Sequence, residues 1–337
     1  MPIGSITNVT FPNAKNSVDT TQADKLALVI EEFTGEVEGT IKRRSVVEGF
    51  VPVRTVKGTA TFTNHAVGKS SLQKVVPGVA LEGVKSDFAK NSVTVDTVVA
   101  AREFFPLLDV FQTQYDVRRE VAGEQGKEIA KFYDQAFLIQ ALKAARTTNS
   151  AFSGGTVGKP AGHNSGSRVT LAAAGDVTDP ELVYAKLCDL FVQMRLKDVE
   201  PNLDDVMVVV NPSVYNTLMQ AEKLIRMDYI TSLGNKIQDS FLLKAAGVPI
   251  FSSNNLPSTV ITGHHLSNAF NSNAYDGDFT KTVACVFSPR ALMAGSTIPL
   301  ESDVFYDKIY KSWVVDSHLA FAVGPNRVEF AAELALP

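Results

Sequence analysis

Asp24–Val46 reads DKLALVIEEFTGEVEGTIKRRSV, and Tyr115–Leu138 reads YDVRREVAGEQGKEIAKFYDQAFL. The order of these two stretches, with a period-two segment between them, decides the fold. In the first, Leu26, Val29, Ile30, Phe33 and Val37 recur at helical spacing and form an apolar stripe opposite Glu31, Glu32 and Glu36. In the second, Asp116 is placed as an N-cap. Val121, Ile129, Phe132, Tyr133, Ala136, Phe137, Ala141 and Ala145 then continue one apolar face, which predicts a helix over 115–146. At about 1.5 Å per residue such a helix is ~45 Å long. Gly123 and Gly126 lie in its first turns, where each costs about 1 kcal/mol relative to Ala, and they are its expected bend points.

Between the two stretches the period changes to two, in FVPVRTV, TATFT and NSVTVDTVV. These alternating runs flank a polar tract, NHAVGKSSLQKVVPGVALEGVKSD, too long for an idle connection in a compact domain. It is expected to project as a two-stranded loop. Its large apolar residues, Leu72, Val75, Val76 and Leu81, need a partner surface to cover them. Residues 1–23, rich in Asn, Thr and Ser, have no period and are expected to form an extended arm.

After the long helix, 147–175 is rich in Gly, Ser and Asn and is expected as an exposed connection. Leu182, Leu187, Leu190, Phe191 and Met194 then form a helical stripe, with Thr178 or Asp179 as cap and Pro180 in the first turn. VMVVV (206–210) predicts a buried strand, and Asn211-Pro212 opens another helix. FLLKAAGVPIFSSNNLP is expected as one apolar strand ending in a turn. VACVF, ALMAGS, YKSWVVDSHLAFAVG and RVEFAAEL are expected as closing strands. Helix and strand mix without regular βαβ alternation, so the fold class is α+β.

Composition bounds the function. The 337 residues are 45% apolar and 20% charged, which is globular, and a net charge of −4 argues against a strongly basic nucleic-acid grip. Cys188 and Cys285 both lie in apolar contexts and are expected as buried thiols of a reducing cytoplasm. The N-terminus lacks the pattern of a signal peptide, and no apolar run reaches the ~20 residues needed to span a bilayer, so no membrane partner is expected.

Sequence motifs for catalysis are broken or missing. A phosphate loop needs Gly at its start and Ser or Thr after Lys. Thr63 precedes Gly68-Lys69-Ser70, and Ser153 and Pro160 bracket Gly158-Lys159. His264 and His265 are adjacent and diverge in any regular structure, and the other histidines are scattered, so no metal site is expected. Asp276-Gly277-Asp278 lacks the later acidic ligand of a calcium loop and reads as a polar turn. The pairs Glu31-Glu32 and Asp204-Asp205 show none of the contrasting environments that acid/base work requires. Lys42, Arg43 and Arg44, and the basic residues of the long helix through Lys143 and Arg146, read either as solvated faces or as an intersubunit or polyanion-facing seam.

The succession of DKLALVIEEFTGEVEGTIKRRSV, the alternating excursion and YDVRREVAGEQGKEIAKFYDQAFL resembles the major capsid proteins of T7-like podoviruses, tailed bacteriophages with the HK97-type fold. VMVVVNPSVYNTL and AGVPIFSSNNLP add weaker similarity of the axial-domain kind. The resemblance implies an N-terminal arm over 1–50 and an E-loop over 51–97 that reaches over a neighbour. It implies a peripheral domain over 98–177 with a spine helix at 115–146, an axial domain over 178–300, and C-terminal strands over 301–337. It implies self-assembly into hexamers and pentamers of an icosahedral head around double-stranded DNA, held non-specifically on the inner face. A scaffolding protein and a portal would act during assembly in the host bacterial cytoplasm, and the mature location would be the virion. Intersubunit contacts are expected at Lys42, Arg43, Arg44, Lys69, Leu72, Lys74, Val75, Leu81 and Lys85, and no catalytic, cofactor or metal residue is implied. The alternatives are an encapsulin-type nanocompartment shell and, from another class, a soluble enzyme or binding module.

Overall fold

VMVVV and VACVF, two of the most apolar short runs in the chain, become neighbours in a six-stranded sheet. In a computed structural model the described residues are 45–67, 72, 74–78, 80, 88–106, 117–148, 165–221 and 243–337. The strands and helices run β1 (Val53–Thr55), β2 (Thr61–Val67), β3 (Phe88–Thr94), β4 (Val99–Pro106), α1 (Val117–Arg146), β5 (Ser167–Thr170), α2 (Pro180–Arg195), β6 (Met207–Val210) and α3 (Pro212–Met219). They continue as β7 (Leu243–Ala245), β8 (Val248–Ser252), β9 (Val260–Ile261), β10 (Gly277–Asp278), β11 (Thr282–Phe287), β12 (Leu292–Asp307), β13 (Ser312–Pro325) and β14 (Ala331–Ala335). The class is α+β, as expected.

The chain forms two units. One comprises 46–95, 134–295 and 322–337, and its sheet has the order β5-β14-β11-β6-β8-β7. β6, β11 and β14 are buried along their whole lengths, which is why β6 and β11 read as near-continuous apolar runs instead of alternating ones, while β14 carries one buried charge, Glu333. β11 is antiparallel to both neighbours, whereas β5 on β14 and β8 on β6 are parallel. Asp179 caps α2 by accepting from the amides of Glu181 (3.0 Å) and Leu182 (3.3 Å). The stripe Val183, Leu187, Leu190, Phe191 and Met194 is buried.

Residues 134–146 of α1 belong to this unit, and here one apolar stripe is too narrow a description. Ala136, Phe137, Leu138 and Ile139 are all buried, as are Ala141, Leu142 and Ala144, so the helix is enclosed on every side. Its polar residues are consumed inside. Asp134 accepts from the amides of Val46 (3.0 Å) and Val47 (3.3 Å) and from Asn255 (3.1 Å). Lys143 donates to the Ala274 carbonyl at 2.7 Å. Arg146 makes a bidentate pair with fully buried Glu333 (2.6 and 2.8 Å), which also meets Arg168 at 3.2 Å and Thr282 at 2.9 Å. Lys143 and Arg146 are therefore not part of a solvated or polyanion-facing seam. Breaking such a buried pair typically costs ~3–5 kcal/mol, because one charge is left uncompensated.

Three local expectations change. The tract 147–175 contributes β5, whose Val169, with Leu171 just beyond it, is buried against the sheet. FLLKAAGVPIFSS holds not one strand but the hairpin β7–β8, because Ala246 (φ 50°) and Gly247 (φ 89°) both adopt the left-handed backbone of a two-residue turn. The strand begun at ALMAGS runs on to Asp307 through a segment whose exposure alternates.

The other unit comprises 1–45, 96–133 and 296–321. Within it, β12, β13 and β4 lie side by side in that order, with Ser312↔Pro106 through Leu319↔Val99 as antiparallel partners. The first half of α1 covers one sheet face. Gln125 accepts from the Ser317 hydroxyl at 2.9 Å, and Phe132 and Tyr133 pack on Phe321 at 5.8 and 5.2 Å. α1, β12 and β13 each contribute residues to both units.

Candidate assembly surfaces

The β2–β3 hairpin is fixed at its root and bare farther out. It pairs continuously from Thr61↔Thr94 to Val67↔Phe88, so part of the tract read as loose is in fact ladder. At the root, Phe62 is buried with Val56 and Met293, and Val93 and Val95 pack on the same cluster. Two glycines make room for this. A Cβ on Gly295 would lie 2.5 Å from the Phe62 ring, and one on Gly324 would lie 2.3 Å from a Val93 methyl. Asn64 donates to Asn326 at 2.8 Å and Asn91 to the Pro325 carbonyl at 2.6 Å, so both strands are tied down by side chains.

Beyond that root the large apolar residues among those described are exposed. Leu72 is fully exposed, Val75 is 62% exposed, and Lys74, Val76 and Phe88 are exposed too. Of the contact residues expected from the sequence, Leu72, Lys74 and Val75 thus lie together on the outer part of the hairpin. Lys42, Arg43, Arg44, Lys69, Leu81 and Lys85 lie outside the described residues, as do Asp116 and both near-matches to a phosphate loop. Gly123 and Gly126 both fall inside continuous α1, Gly126 buried and Gly123 with open space where a Cβ would be.

A second bare surface was not legible in the sequence. In β4 and β12 the residues facing away from α1 are exposed, including Phe104, Phe305, Glu301 and Asp303. At the β12–β13 turn, Ile309 (84%) and Tyr310 (74%) are exposed, and Tyr310 sits edge-on to Phe104 at 6.5 Å. Arg102 pairs with Asp316 across the strands at 2.7 Å. The available signal was the alternation in PLESDVFYD, masked by its one buried residue, Val304.

The titratable groups singled out in the sequence make structural contacts. His264 is buried and stacked on Tyr275 at 5.3 Å, whereas His265 is exposed. Burial, and the neighbouring His265, lower the His264 pKa to about 4. Asp276 accepts from the amides of Gly263 (2.8 Å) and His264 (3.0 Å) and from the Ser267 hydroxyl (2.6 Å), as a turn-closing carboxylate. Asp204 accepts from the Glu200 amide at 3.0 Å and from Arg290 at 2.9 Å. Burial pushes the Cys285 thiol well up, which makes it inert, and Cys188 is half-buried where full burial was expected. Among the described residues no three His, Cys, Asp or Glu side chains converge as a metal site. Beyond these groups, the described residues offer exposed surface.

Comparison with known proteins gives that surface a context. A family model described as phage capsid protein matches residues 93–332. The major capsid protein of Escherichia phage T7 is 27% identical over 119 residues, 35% of this chain and 34% of that relative. The chain thus aligns with about a third of the length of the curated relatives it matches. Among solved structures, the capsid of the cyanophage P-SCSP1u superposes with a TM-score of 0.74 at 22% identity, covering 87% of this chain and 88% of that one. The mature capsid of bacteriophage PhiM1 gives 0.71 at 23% identity, covering 87% of each.

Proposed function

The chain belongs to the phage capsid protein family and has the HK97-type α+β fold, and we propose that it is the major shell subunit of a T7-like phage head. Copies of it would assemble into hexamers and pentamers that enclose double-stranded DNA. The observation that carries this reading is the β2–β3 hairpin, rigidly rooted yet with apolar residues bare along its outer part. A monomer has no use for a fixed projection of this kind, whereas a neighbouring copy supplies the cover that Leu72, Val75 and Phe88 lack. The mechanism is geometric and calls for no cofactor.

On this reading 1–50 is the N-terminal arm, 51–97 the E-loop, and 98–177 the peripheral domain with α1 as its spine. Residues 178–300 are the axial domain, and 301–337 return to the core. Lys42, Arg43, Arg44, Lys69, Leu72, Lys74, Val75, Leu81 and Lys85 make intersubunit contacts, and Gly123 and Gly126 allow the spine to bend. A scaffolding protein and a portal act during assembly in the bacterial cytoplasm, and the finished particle is the virion head. Negative-stain microscopy of the purified chain, alone and with a scaffold, tests this reading. Closed shells or hexameric sheets are expected, and a single small oligomer under every condition would overturn it.

A further inference from the structure

Two apolar features of the unit that holds the six-stranded sheet face solvent. The first is Phe270, which is 96% exposed in the turn 268–273. The turn holds it in place. The Asn268 amide donates to Asn271 Oδ1 at 3.0 Å and the Asn271 amide donates back to Asn268 Oδ1 at 2.9 Å, so the two side chains brace the backbone on either side of Phe270. Asn271 Nδ2 also donates to the Leu266 carbonyl at 2.6 Å, and the Asn273 amide to the Asn268 carbonyl at 3.0 Å. Flanking the turn, Leu266 and Tyr275 are buried, and the Tyr275 hydroxyl donates to the Val323 carbonyl at 2.9 Å. Little further ordering is needed to bury a side chain presented in this way.

The second feature lies at the end of α2. Val192 and Leu196 are both exposed and stand one helical turn apart, the Leu196 amide donating to the Val192 carbonyl at 3.0 Å, so their side chains adjoin. Charges near them are paired on the chain itself, Lys186 with Asp189 at 3.1 Å and Arg195 with Glu200 at 2.9 Å. An apolar centre with a polar, neutralised rim is the anatomy of an interface. Within one chain neither feature covers the other, since both are exposed.

We propose that Phe270 of one copy seats on Val192 and Leu196 of the next, as a head-to-tail contact between copies of the chain. This rests on the shell reading above and names one of the contacts that would close its rings. A projecting ring and an aliphatic pair on a helix complement each other and not themselves, and a contact between unlike surfaces repeats around a ring. Charge agrees with a second copy as the occupant. The turn 268–273 carries no charged side chain and the ions beside Val192 and Leu196 already have partners, so docking strands no buried charge. A single aromatic anchor amid small polar residues also fits the way a few central side chains dominate a contact.

Charge exchange on full-length chains tests this, with shell yield read by sedimentation and negative-stain microscopy. F270D and L196K each alter one exposed side chain, so the melting temperature should hold while shell yield falls by about tenfold in each. The double variant F270D/L196K should recover to within about twofold of the parent, because an ion pair replaces the apolar contact. A double variant no better than the poorer single variant overturns the inference. A lowered melting temperature in either single variant also overturns it, since that residue would then serve the chain's own fold. Recovery of F270D by L72K in place of L196K does so as well, because the seat of the ring would then be a neighbour's hairpin. A parent chain that forms no shells removes the shell reading and this contact with it. Parent shells together with normal assembly of both single variants remove this contact alone.

Discussion

At the residue scale, the interior of the β-rich unit is set by polar side chains that each answer several backbone groups. Asp134 is the clearest case, because a carboxylate on an otherwise apolar helix segment reads in isolation as a misplaced charge. It is buried because Val46, Val47 and Asn255 bring donors to it. His264 shows the opposite bias. Its ring lies against Tyr275, its Nδ1 accepts from the Leu266 amide at 3.3 Å, and burial holds its pKa near 4, below the ordinary value of 6.5. The unfolded chain therefore binds a proton at His264 that the folded chain refuses between those values. Stability from this group is complete above pH 6.5 and is lost as pH falls toward 4. Denaturant midpoints of the unassembled chain should fall over that window, and H264Q, which does not titrate, should flatten the fall. Parallel pH profiles for parent and H264Q would show that other groups control the acid response.

At the element scale, the hairpin's attachment depends on absent side chains as much as on present ones. Gly295 gives Phe62 its place, and Phe62 is held in turn by Val56, Met293 and Val93, so the ring cannot swing clear of an added methyl. Overpacking of this kind typically costs ~1–3 kcal/mol. G295A should therefore lower the melting temperature and speed hydrogen exchange in the β2–β3 ladder, while G175A, with open space at its Cβ, should do neither. Equal behaviour of the two variants would mean that the root is soft. The elements were unevenly legible. α2 was readable because its cap, its Pro180 and its stripe are all local signals. β5 was not, because SRVT carries no strand signature apart from its pairing with β14. The bare face of β12 and β4 escaped for a related reason: an alternating strand announces that one side is exposed, and not that the exposed side is rimmed with aromatic residues.

At the scale of the whole molecule, sequence order and spatial order part company. α1, β12 and β13 each contribute to both units, and pairings between distant residues, such as β13 with β4, are what gather the segments of a unit. What the resemblance conveyed was the architecture, and what the residues conveyed unaided was the lack of cover on the hairpin. The spine helix joins these two scales. α1 is continuous from Val117 to Arg146 with two glycines near its start, although a helix kept only for rigidity would be better served by alanine. Gly123 has open space at its Cβ, so packing does not demand glycine there. Conformational freedom is the remaining benefit, and the bend proposed at this glycine would let the spine differ in shape between early and expanded shells. G123A should stabilise the isolated chain by about 0.5–1 kcal/mol through helix propensity alone. It should also favour the straight spine, so that early shells form in lower yield or begin at the expanded diameter. Thermal denaturation and particle diameters by cryo-electron microscopy separate the two effects. A G123A chain that gains stability yet assembles and expands as the parent does would show that this glycine is not the bend.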